Sequence, residues 1–125
     1  MALTNVDTHS FVSARAAKSL AGKQYQLAKY LTSGEVELCG EGEAGFIIAE
    51  DAVEGDYATL VIGAERAKVR LGGTVAIGET LMSNAEAKAV KTTSGSGKLI
   101  VAIAREAGAS GDIIEVLTVP PAVKA

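Results

Sequence analysis

The sequence predicts a mainly β fold, a small antiparallel β-barrel or β-sandwich with an extended N-terminal arm, and three observations carry that prediction. Fourteen glycines stand against two prolines, beside many Val, Ile and Thr residues. That balance favours short strands joined by tight turns. From Gln24 onward, short apolar or alternating runs are broken by Gly, Asp, Glu and Ser, the pattern of a β domain. Residues 1–22 lack it: Ser, Thr, Asn and Ala dominate, and Leu3, Val6, Phe11, Val12 and Leu20 follow no strict period.

Taken in order, the arm comes first. Ser13 to Leu20 holds Ala, Arg and Lys, so a short helix is an option there, marginal at that length. Strands are expected near 24–31, 35–39, 45–50, 57–62, 66–70, 79–83, 87–91, 98–105 and 113–119. The turns between them carry their own chemistry. Thr32-Ser33-Gly34-Glu35, Glu54-Gly55-Asp56, Gly72-Gly73 and Ser110-Gly111-Asp112 supply left-handed positions or Asx-type turns. Connections of this kind make hairpins, and the sheet is expected to be mostly antiparallel. The organisation is an arm over 1–22, one β domain over 23–121 and a tail over 122–125.

Composition sets the scale. A chain of 125 residues fits one ordinary domain. Apolar residues make up 48% of it but aromatic ones only 4%, with no Trp, so the core is built from Ala, Val, Leu and Ile. A small core leaves little stability to spare, and oligomerisation is a usual supplement. The five aromatics are Phe11, Tyr25, Tyr30, Phe46 and Tyr57. Four of them fall in expected strands, where core packing is the usual fate.

Net charge is −3, which argues against general nucleic-acid binding, yet the charge is uneven. In the first thirty residues Arg15, Lys18, Lys23 and Lys29 face Asp7 alone, giving +3, while eight basic and fourteen acidic residues in the remainder give −6. The single Cys39 cannot form an internal disulfide. The longest apolar run, Leu99 to Ala104, is far short of a membrane span, and no signal-peptide pattern opens the chain. The expectation is a soluble protein made in the cytoplasm, with no membrane partner.

Reactive groups are sparse. His9 lies beside Ser10 and Asp7 in the arm, where nothing holds a triad rigid. One His and one Cys, thirty residues apart, do not make a zinc site. The Ser94-Gly95-Ser96-Gly97-Lys98 stretch fails the phosphate-loop pattern, because Thr92 and Leu99 occupy two of its required positions. No catalytic residue, metal site or cofactor is expected.

The chain also resembles itself. Ile48-Ala49-Glu50-Asp51-Ala52-Val53-Glu54-Gly55-Asp56 matches Ile103-Ala104-Arg105-Glu106-Ala107-Gly108-Ala109-Ser110-Gly111-Asp112 with one insertion. Either a duplication or convergent turn chemistry accounts for this, and both place the two segments at similar positions in the fold.

Gly45-Phe46-Ile47-Ile48, Glu54-Gly55-Asp56, the run from Leu71 to Leu81, the run from Ser83 to Val90 and the run from Ala107 to Leu117 together resemble tailed-phage capsid decoration, or cement, proteins. The resemblance spans residues 20–121 and rests on order and spacing. One departure stands out: relatives often carry Asp-Ala-x-Gly-Lys where this chain has Asn84-Ala85-Glu86-Ala87-Lys88.

The resemblance implies a homotrimer on the outer surface of the virion, at three-fold and quasi-three-fold positions of the shell. Its partner is then the major capsid protein. The arm is implied to reach that surface, with Leu3, Thr4, Val6, Phe11, Val12, Arg15, Lys18 and Leu20 as the capsid-binding residues. An alternative is a β module of a virion fibre or adhesion component that binds a ligand or glycan. A third reading, a swivelling enzyme domain with a turn like Val75 to Leu81, needs a partner domain to supply an active site.

Overall fold

The computed structural model describes residues 10–62, 66–93 and 97–119. Among them there is no helix. Ten strands run β1 Ser10–Arg15, β2 Leu27–Tyr30, β3 Val36–Leu38, β4 Phe46–Glu50, β5 Tyr57–Ile62, β6 Ala67–Arg70, β7 Thr80–Ser83, β8 Ala89–Lys91, β9 Ala102–Ala104 and β10 Ile113–Thr118. Each of the nine expected strands contains one of β2 to β10.

The strands form two five-stranded antiparallel sheets, ordered β1-β5-β4-β2-β3 and β6-β10-β9-β7-β8. They pack face to face in a sandwich-like arrangement and do not close into a barrel. Adding five to each number of the first sheet reproduces the second, so the chain is a structural duplication. The hydrogen bonds repeat as well. Ala16 N–H donates to the Asp56 carbonyl as Leu71 N–H does to Asp112, both at 2.8 Å, and Gly55 N–H donates to Ala16 as Gly111 N–H does to Leu71, both at 2.9 Å. Gly55 and Gly111 hold φ of 88° and 91°. The segment pair noticed in the sequence is therefore β4-turn-β5 against β9-turn-β10.

The alternation of side chains across a strand divides the core in two. Leu27, Ile47 and Val61 face the second sheet and join Val69, Leu81 and Val116 there. On the other side of the first sheet, Ile48, Ala58 and Leu60 meet Ala14, Ala16 and Leu20.

That second cluster corrects the sequence reading of residues 10–22. They are neither a helix nor a detached arm: β1 pairs with β5 over six residues, from Ser10↔Ile62 to Arg15↔Tyr57. Leu20 is fully buried and its N–H is held by the Ala52 carbonyl at 2.7 Å. Residues 1–9 and the tail over 122–125 lie outside the described residues.

The altered turn keeps its conformation. Ala87 adopts the left-handed φ of 63° that its counterpart in the first half, Gly34, holds at 89°. Asn84 Oδ1 closes the turn by accepting the Glu86 and Lys88 N–H groups, each at 2.9 Å. Ala87 thus takes the position that Gly34 holds in the first half, at a local strain of about 1 kcal/mol.

Candidate interaction surface

Of the aromatics expected in strands, Phe46 packs partly buried against the inner cluster. None of the five is buried: Phe11, Tyr30 and Tyr57 are 54%, 43% and 68% exposed, and Tyr25 and Phe46 are half-buried. Exposed Phe and Tyr are the side chains that binding interfaces favour.

Of the residues expected to bind a capsid, Phe11 and Arg15 are exposed on the face of β1 that also carries Val61 of β5, and Lys18 is exposed in the loop that follows. Val12 lies on the opposite face, half-buried against the inner cluster. Leu20 is removed from any contact surface by its burial. Leu3, Thr4 and Val6 lie outside the described residues.

Register places Phe11 beside Val61, and Val61 beside Ile47, on one face of the first sheet. With Tyr25, Ala49 and Ala67 they line an apolar groove of about 310 Å³, rimmed by Arg66, Lys68 and Glu115. Sequence reasoning missed this groove, which six separate segments assemble. Tyr25 is held there at a left-handed φ of 69°. Its N–H donates to Ile48 at 2.7 Å and its carbonyl accepts from Arg70 at 2.8 Å. Left-handed backbone at a non-glycine residue concentrates at functional sites. On the rim, Arg66 Nε and Arg105 Nε reach the same Glu115 oxygen, at 3.0 and 3.1 Å. Arg66 above all keeps that carboxyl below its ordinary pKa.

A second aromatic site lies on β2 and β4, neighbouring interior strands of the first sheet. The Tyr30 and Phe46 rings meet edge to face, 5.7 Å between centroids. Lys29 Nζ donates to both Glu43 oxygens at 2.8 and 2.9 Å. This bond raises the pKa of Lys29 and, with the Gly40 N–H, lowers that of Glu43.

Cys39 is 2% exposed, and desolvation pushes its thiol from 9.0 up to about 12. The folded protein holds the proton more tightly than the unfolded chain, so this contribution to stability is complete below pH 9 and is lost as pH rises toward 12. A thiol reagent at pH 8 is expected to leave Cys39 unmodified until denaturant is added, and fast labelling of the native protein would refute that burial. Among the described residues no cluster of His, Cys, Asp or Glu could hold a metal ion, and no helix is long and apolar enough to cross a membrane.

No protein-family model matches the sequence, and no curated protein matches it. A solved structure does. The fold is similar to that of the N-terminal base of the head fiber protein gp8.5 of bacteriophage phi29. The TM-score is 0.72 at 19% identity, over 90% of this chain and 95% of that one. The likeness covers both sheets and carries the architecture, not the side chains. A fold shared with the phi29 fiber base leaves function to be argued from the surface residues of this chain.

Proposed function

We propose that this chain is a non-enzymatic capsid decoration protein, binding the outer surface of an assembled phage head as a trimer and stabilising the shell. The observation that carries the reading is the fold it shares with a phage head fiber base over nine-tenths of its length. The decoration-protein resemblance of residues 20–121 points the same way. The surface fits binding: rings that a fold would ordinarily bury are spent on the outside.

Phe11, Arg15 and Lys18, with Leu3, Thr4 and Val6 ahead of them, are the contacts assigned to the shell. Three copies held together multiply weak contacts through effective concentration. Because the trimer binds the assembled lattice and not free subunits, it stabilises the shell by mass action.

The test is co-sedimentation with undecorated heads assembled from the shell protein of the same genome. Saturable binding by a species near three times 12.7 kDa is expected. A strict monomer that stays in the supernatant would reject the reading. A fibre or adhesion module that binds a glycan is the second reading, favoured by the Tyr30–Phe46 pair beside Lys29 and Glu43. Saturable glycan binding without head binding would select it.

A further inference from the structure

The groove beside β6 offers more than apolar surface, because it runs along an open sheet edge. In the register of β6 and β10, the backbone groups of Ala67 and Val69 point to β10, as the Leu71 N–H does at 2.8 Å to Asp112. Those of Lys68 and Arg70 therefore point away. The Arg70 N–H is taken by the Tyr25 carbonyl. The N–H and C=O of Lys68 have no backbone partner among the described residues, and Lys68 lines the groove.

We propose that this edge accepts an extended acidic segment of a partner protein, adding a short strand to β6. Its apolar side chains would sit among Phe11, Ile47, Val61 and Ala67, and its carboxylates would face Arg66 and Lys68.

Charge chooses the occupant. Arg66, Lys68 and Arg105 stand against Glu115 alone, a local excess of two positive charges on a chain whose net charge is −3. Both arginines already share that carboxylate, and Lys68 has no ion-pair partner among the described residues. The geometry chooses its conformation. A helix, about 10 Å across, cannot bring backbone groups to the Lys68 edge, whereas an extended chain can. The matching edge of β1 does not offer the same site, because its cleft is lined by Ser13, Ser33 and Tyr57 and its Arg15 is paired with Glu35 at 3.7 Å. With Arg70 already bonded to Tyr25, the open edge is short, so side chains supply most of the affinity. This inference does not require that the partner be a capsid.

The test is an amide-shift titration of the full chain with short peptides alternating Leu with Glu, Lys or Ser. The Leu-Glu peptide is expected to give saturable shifts centred on Lys68, Arg70, Tyr25 and Ile47. Lys68→Glu should weaken it by about tenfold or more, the size of one lost charge-assisted contact. Lys68→Gln, which removes charge without reversing it, gives an intermediate loss and guards against misfolding of the first variant. Ala49→Arg, which fills the groove and leaves the edge intact, should abolish binding. An equal response to the Leu-Lys peptide, or no saturation with Leu-Glu, would overturn the proposal. So would shifts that grow with protein concentration alone, since a second copy would then hold the groove.

Discussion

Deleting residues 1–20 is expected to unfold the first sheet, not to release a folded body. The deletion strips β1 from β5 along its whole length and takes Ala14, Ala16 and Leu20 out of the inner cluster. Leu20 alone is fully buried, so Leu20→Ala should cost about 2–5 kcal/mol. A domain of this kind holds only about 5–15 kcal/mol in total, and losing the strand as well removes most of it. The expected result is a chain without a cooperative thermal transition. A sharp transition and a dispersed amide spectrum would show that β1 is dispensable. Deleting residues 1–9, which touches none of these contacts, is the control and the proper test of a shell-binding arm.

The second large effect is expected at Gly45, where close approach and not a left-handed φ excludes a side chain. A Cβ there would collide with Cys39 Sγ and lie 2.9 Å from the Ala28 carbonyl oxygen. Ala28 pairs with Phe46 in one of only two register pairs that join β2 to β4. Backbone cannot give way without opening that junction. Gly45→Ala should therefore cost about 2–3 kcal/mol and lower Tm by about 10 °C. Gly73→Ala, whose Cβ would meet only Val90 Cγ1 at 3.7 Å, should change stability by less than about 0.5 kcal/mol. Equal melting temperatures for the two variants would contradict the packing at Gly45.

Nine of the ten strands were legible because each carries Val, Ile or Leu between turn residues. β1 was not. The positions it turns to the inner cluster are Val12 and Ala14, with Ala16 just beyond the strand, so alternation rests mostly on alanines, while the large Phe11 lies on the groove face and breaks the period. The duplication holds the missing signal: Ala16 occupies the place of Leu71, which lays residues 11–16 over 66–71, where Val69 and Leu71 make the same strand plain. The repeated turn was visible on its own, but extending the comparison back to β1 required the hydrogen-bond register.

The aromatics show the opposite error. Strand membership was read as burial, although Tyr30 and Tyr57 are exposed on β2 and β5. The groove had no local signature at all. Phe11, Tyr25, Ile47, Val61 and Lys68 come together only because the face of the first sheet lies beside the open edge of β6.

Attachment to an assembled shell is the claim on which the functional account stands, and a cryo-EM reconstruction of undecorated heads incubated with the purified protein tests it most directly. The account predicts three-lobed density on the outer surface at three-fold and quasi-three-fold positions, with the β1 side against the shell. Heads that remain bare at saturating protein would contradict it.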